Sequence, residues 1–305
     1  GNMDLAPTLE AYHLVLKAHS QQNPVQAADV ANEIMEFLKS CGYHMEPNAE
    51  TYRLACLCIS SSLVDSDGAE SGIEQDFQKF CGYFLKAIDL GSPWELGKVS
   101  ELMVALDGSV QAVRDVVDGG EVIATATECY TKGLKAWKEA LPCLANSETS
   151  QLKPAAITGI TSVMSLHDTF ISDPEDLANE LEESFTKLAS LESDDVPSNH
   201  DYLRLIQTLA NCENQSADDR IRALCKDMEG RHLRLEARER TTVDRTLAWN
   251  TVMSAYFAAG MYHEVHRLYN DMKIRRVFRD SFSLSTVLHA LSRIGSSQSA
   301  FQATS

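Results

Sequence analysis

Two histidines flank a glutamate in the run His263-Glu264-Val265-His266. A zinc hydrolase built on H-E-x-x-H needs its imidazoles four residues apart, one helical turn, so that both reach one ion. The residue four after His263 is Arg267, so the spacing fails and predicts surface or inter-repeat packing. Cys41, His44, Cys56 and Cys58 also invite a zinc site. Yet none of the eight cysteines (41, 56, 58, 81, 129, 143, 212 and 225) forms a C-x-x-C pair. Residues two apart on a helix, such as Cys56 and Cys58, point to different faces. Buried, reduced thiols are expected, which implies a reducing compartment. Asp118-Gly119-Gly120 is a lone turn without a phosphate-loop context, and no G-x-G-x-x-G, G-K-[ST] or G-x-S-x-G occurs. The expectation is a protein that binds: no catalysis, no cofactor, no metal and no small-molecule substrate.

Charge divides the chain. Residues 1–200 hold 12 Lys/Arg against 32 Asp/Glu, whereas residues 201–305 hold 15 against 12 and four of the nine histidines. An acidic body repels polyanions, so any nucleic-acid contact is expected in the last hundred residues.

The elements that must position these groups are helices. With 305 residues the chain exceeds one compact core, which stops growing at roughly 250–300 residues, so it is either two domains or a repeat array. Only 15 Gly and 8 Pro occur, few for a β-rich protein with many turns. No apolar run approaches the roughly 20 residues that cross a bilayer, and no membrane contact is expected.

Repetition appears on alignment of the chain with itself. Pro7, Glu10, Tyr12 and Leu14 recur as Pro47, Glu50, Tyr52 and Leu54. Near the other end Thr251, Val252, Ala255 and Gly260 recur as Thr286, Val287, Ala290 and Gly295. In the best unit Trp249, Val252, Met253 and Tyr256 follow one helical face until Gly260 supplies a left-handed end. Val265, Leu268, Tyr269 and Met272 mark the returning helix. Neither helix buries its apolar face alone, so stacked neighbours must cover it.

Residues 248–280, AWNTVMSAYFAAGMYHEVHRLYNDMKIRRVFRD, carry an aromatic-Asn-Thr opening, an Ala-Gly turn, a Leu-Tyr…Met second helix and a closing Asp. This unit resembles a pentatricopeptide repeat. Residues 281–295 resemble the first helix of a further unit, residues 8–48 a lengthened one, and residues 199–245 a looser one. The Trp/Gly/Tyr and late Pro signature of the rival tetratricopeptide repeat is missing. Between 61 and 198 the resemblance fades. Residues 60–75 read as an acidic loop, followed by helical stretches at 76–90, 93–108, 124–141 and 154–170. A further helix over 171–191 opens on a capping box from Ser172 to Glu175. These stretches are either degenerate repeats or a divergent helical insertion. Tyr83, Phe84, Trp94, Tyr130 and Trp137, at helical spacing, are assigned to the core.

The expected fold is therefore all-α, a right-handed helical-hairpin solenoid of pentatricopeptide-like repeats with a divergent helical middle. It divides into N-terminal repeats at 1–60, a divergent region with an acidic loop at 61–198, and C-terminal repeats at 199–305, the last one truncated. Both ends read as cut, with Gly1-Asn2 finishing an earlier repeat or remaining from cloning, and SSQSAFQATS forming a polar tail. A fragment of a longer array is expected.

Helical-repeat RNA readers use two or three side chains per repeat for one base. The resemblance places these near the start of the first helix and at the last residue of the unit. Asn250 and Asp280 occupy those places and resemble the family's uridine-selecting combination, the Asn amide donating to a pyrimidine oxygen while the carboxylate holds it. Leu247 would pack on the base plane. In the next unit Ser285 and Phe282 hold the equivalent places, and in the first unit His13 and Asn48 do. The plainer reading makes Asn250 and Asp280 helix-start and linker caps. Arg245, Lys273, Arg275, Arg276 and Arg279, with Arg231, Arg234, Arg238 and Arg240, are the phosphate candidates. The resemblance implies a mitochondrial or plastid protein that binds single-stranded RNA and acts on its processing, stability or translation. The alternative is a protein-protein interaction scaffold whose acidic helical groove grips a protein partner.

Overall fold

The computed structural model describes the chain outside residues 1–6, 23, 42–44, 66–71, 115–119, 143–151, 192–196, 213–214, 235–241 and 305. Its described residues form thirteen α-helices and no strand. They gather into two compact units, residues 1–170 and 171–305.

The first unit contains α1 (Leu9–Gln22), α2 (Pro24–Ser40), α3 (Ala49–Asp65), α4 (Ile73–Leu90), α5 (Leu96–Val113), α6 (Gly120–Ala140) and α7 (Leu152–Phe170). Each of α1, α3 and α5 packs on the helix that follows it and also on the next odd-numbered helix. The even-numbered α4 packs on α6. Helix pairs thus stack in two rows, and the stretch with faded resemblance continues the arrangement of the first pair. Periodicity explains the pairing. In α2 the buried residues Ala27, Ala31, Ile34, Met35 and Leu38 repeat at spacings of three and four, one stripe toward α3. Helix α3 is enclosed by α1, α2, α4 and α5, so it is buried on several faces. Cys56 donates toward the Phe80 carbonyl on α4, and Cys58 toward that of Leu16 on α1. The two thiols face opposite ways, as their spacing requires, and burial pushes the Cys58 thiol up to about 12. Helices α5 and α7 pack tightly at Gly159, where a Cβ would stand 2.5 Å from the Ser100 hydroxyl.

The second unit contains α8 (Pro174–Ser190), α9 (Asn199–Ala210), α10 (Gln215–Arg234), α11 (Thr242–Ala258), α12 (Tyr262–Ile274) and α13 (Ser281–Thr304). Helix α9 packs on α8, α10 and α11, and α11 packs on α10, α12 and α13. The fully buried Trp249 and Tyr202 centre the core. Replacing such a ring by alanine costs about 3–5 kcal/mol.

Several local expectations are corrected. Helix α8 is capped by Asp173, which accepts from the Glu175 and Asp176 amides at 3.0 Å, and not by a box at Ser172. Pro174 drives the residue before it out of the helical region and itself fits the first helical position, so the boundary moves to Asp173. A capping box does join Ser198 and Asp201 at the start of α9. Residues 60–65 continue α3 and 73–75 open α4, leaving 66–72 of the expected acidic loop, of which 66–71 lie outside the described residues. Trp94 is half-buried, not core; its indole N–H donates to the Ile88 carbonyl at 3.3 Å. Gly260, with φ of 69°, ends α11, whereas its partner in the alignment, Gly295, lies inside α13, which takes up the expected polar tail as helix.

Candidate nucleic-acid interface

The returning helix α12 closes on Arg276, the described non-glycine residue with a left-handed φ, 57°. The Val277 amide then reaches back to the Met272 carbonyl at 2.8 Å, and the Val277 side chain is buried. This is how a helix satisfies its last carbonyls before a linker. The linker is tied to α11 by the Thr246 hydroxyl, which donates to the Phe278 carbonyl at 3.0 Å.

Asp280 ends the linker and caps α13. Its Oδ1 accepts the Ser283 amide at 2.8 Å, and the Ser283 hydroxyl donates to the Asp280 carbonyl at 2.9 Å. The same carboxylate takes the Asn250 side chain, whose Nδ2 donates to Oδ1 at 3.2 Å and Oδ2 at 3.0 Å. Burial works to raise the Asp280 carboxyl, but the bonds from Ser283 and Asn250 outweigh it and hold the group below the ordinary value of 3.8. A carboxylate only accepts, so it dictates which end of the Asn250 amide turns toward it. Asn250 Oδ1 is left over: it is shielded from water and has no hydrogen-bond partner among the described residues. The amide donor expected to meet a base is engaged by Asp280, and the acceptor is the group that remains. Leu247 and Phe282 stand 61% and 52% exposed, and Ser285 is exposed as well.

The phosphate candidates differ among themselves. The guanidinium of Arg275 lies over the Trp249 ring at 5.6 Å, and that of Arg279 over the Tyr269 ring at 4.8 Å. Lys273, Arg275, Arg276 and Arg279 are all exposed. Arg245 is half-buried, and its Nε has no hydrogen-bond partner among the described residues. The side chains of Arg231, Arg234, Arg238 and Arg240 lie outside the described residues. Arg267, four residues after His263, is held by Glu229, Glu264 and Asp271 at 2.9, 2.6 and 3.0 Å. His263 and His266 are exposed, and no cluster of metal-ligating side chains occurs among the described residues.

In the first unit the equivalent joint is built differently. Asn48 Oδ1 accepts the Thr51 amide and hydroxyl, both at 3.0 Å, and so caps α3. His13 does not touch Asn48; its Nε2 lies 2.8 Å from the Thr51 hydroxyl. Thr51 has given its single proton to Asn48, so the imidazole is the donor. Burial lowers the His13 pKa below 6.5, the Glu50 carboxylate opposing it. Thr51, Ser283 and Thr246 were not singled out by sequence reasoning. The signal was present in Asn48-x-x-Thr51 and Asp280-x-x-Ser283, a capping residue followed three positions later by a hydroxyl.

The model of the PPR repeat family matches residues 245–293, the segment that holds Asn250, the linker and Asp280. This segment is similar to a pentatricopeptide repeat. Within that match α11 and α12 form the repeat and α13 opens the following one. No curated protein matches the chain.

Proposed function

We propose that this pentatricopeptide repeat protein is a non-catalytic binder of single-stranded RNA, and that Asn250 reads one uridine with Asp280 fixing its orientation. The observation that carries the reading is the unpartnered Asn250 Oδ1 beside a carboxylate that has claimed the amide nitrogen. Uracil carries a hydrogen at its ring N3, whereas cytosine has a lone pair there. Once base binding opens Asn250 Oδ1, which is shielded in the free protein, the acceptor is satisfied by the first and repelled by the second, and a buried polar group without a partner costs about 1–3 kcal/mol. Leu247 packs on the base in this reading, with Phe282 and Ser285 in the equivalent roles of the next unit and His13 and Asn48 in those of the first. Arg245, Lys273, Arg275, Arg276 and Arg279 supply phosphate contacts. A mitochondrial or plastid role in RNA processing, stability or translation follows from the family resemblance.

The test is a shift assay on uridine-rich RNA at several salt concentrations. Asn250→Ala or Asp280→Ala is expected to relax base preference at one position by about 5- to 150-fold. Arg275→Ala should weaken all sequences evenly. If the protein binds no RNA at low salt, the reading is lost.

The scaffold reading is favoured by one feature of the first unit. A groove of about 700 Å³ runs over α1, α3, α5 and α7, with Leu57, Val64 and Val104 in its wall and Asp65 and Glu101 at its edge. Residues 1–170 carry 23 Asp/Glu against 11 Lys/Arg. Such a surface suits a basic protein segment better than a phosphate chain.

A further inference from the structure

Between α12 and α13 the chain reads Lys273-Ile274-Arg275-Arg276-Val277-Phe278-Arg279-Asp280. Two large apolar side chains stand in solvent there, Ile274 at 77% and Phe278 at 63% exposure. A ring so exposed adds little to the core. Its backbone is nonetheless fixed: Val277 is anchored in the interior, and the Thr246 hydroxyl holds the Phe278 carbonyl. This pins Phe278, two residues before Asp280, to Thr246 of α11, the residue before Leu247. Three exposed apolar side chains, Leu247, Phe278 and Phe282, therefore come from segments joined at the Asn250–Asp280 pair. The linker carries four cations, Lys273, Arg275, Arg276 and Arg279, against one carboxylate, Asp280. Among the described residues Lys273, Arg275, Arg276 and Arg279 form no ion pair, whereas nearby Arg267 is held by three carboxylates.

We infer that Phe278 and its flanking cations form a second nucleotide subsite, separate from the base-reading pair. The Phe278 ring stacks on the base adjoining the one met by Asn250, and Arg276 and Arg279 take phosphates beside it. The inference rests on the RNA reading given above. A flat ring on a fixed backbone suits any base, because every base has a π-face. Unpaired cations supply attraction to the backbone without specificity. An anionic membrane is the other ligand with this chemistry, but membrane-surface binding draws on an extended amphipathic helix, and this ledge is a short linker.

The full chain is titrated into fluorescein-labelled uridine-rich RNA, followed by anisotropy across a sodium chloride series. A second probe carries one abasic residue next to the preferred uridine. Phe278→Ala is expected to weaken binding about 5- to 100-fold with the salt slope unchanged. It should lose little more on the abasic probe, and Phe278→Trp should restore affinity. Arg276→Gly keeps the left-handed backbone comfortable and should reduce the slope by roughly 0.7, one phosphate on a single strand. Unchanged affinity in Phe278→Ala, alongside altered base preference in Asn250→Ala, overturns the subsite and leaves the base-reading pair standing. Absence of RNA binding by the unaltered protein overturns both. Binding to phosphatidylserine vesicles that depends on Phe278, without RNA binding, replaces the RNA ligand with a membrane.

Discussion

The joints at Asn48 and Asp280 are the same piece of architecture with different chemistry left over. In each, the closing residue of one unit caps the next first helix and pairs with a hydroxyl three positions on. At Asn48 the capping bonds occupy the side-chain oxygen, and His13 is connected only through Thr51. At Asp280 the second carboxylate oxygen remains, and Asn250 binds it directly. The surroundings diverge too. Glu46 stands two residues before Asn48, where the later linker has Phe278 before Asp280. The mechanical joint is therefore kept while the groups left unpaired beside it change, because the cap needs only an acceptor.

The largest expected effect breaks the joints unequally. Asp280→Ala removes a cap and strands a buried amide, costing about 2–4 kcal/mol. Asn48→Ala removes mainly a cap, about 1 kcal/mol. Urea unfolding followed by circular dichroism measures both, and equal losses would show that the joints are equivalent after all. Next in size is the coupling. A double-mutant cycle on Asn250→Ala and Asp280→Ala should give about 1–2 kcal/mol, whereas His13→Ala with Asn48→Ala should fall below about 0.5 kcal/mol.

A smaller contrast lies in pH. Burial lowers the His13 pKa, so the unfolded chain takes up the proton first. The stability from the neutral imidazole is fully present above pH 6.5 and is lost as pH falls through the lower folded value. Asp280 is also depressed, from 3.8, so its contribution is complete above that value and fades only in stronger acid. Proton NMR should place the His13 midpoint below 6.5, and a midpoint at or above it would show that the Glu50 carboxylate outweighs burial. The smallest effect is at Glu46: Glu46→Ala should change stability by no more than about 0.5 kcal/mol, since the side chain is exposed.

Much of the helix pairing was legible because it is written in short-range periodicity. Trp249, Val252 and Met253 mark one face of α11, and all three are fully buried. Gly260 was readable as an end because Met261 can reach back to the Tyr256 carbonyl across a left-handed residue. Gly295 misled because an identical residue type ends a helix only where the chain then turns. The middle region was opaque for a related reason. Helices such as α3 and α5 are covered by several neighbours, so their apolar residues spread round the helix and leave no single stripe to recognise.

Residue types and spacing determined, by themselves, that this chain forms stacked helix pairs, lacks a zinc-hydrolase motif, and gathers its cations toward one end. Only the tertiary structure decided which atoms remain unpaired. The orientation of the Asn250 amide depends on a carboxylate thirty residues away, and the free charge of Arg276 as against the tied charge of Arg267 depends on which acidic side chains the helices bring near. Hydrogen-bond satisfaction is a property of neighbours in space, and a linear pattern records the groups without recording their partners.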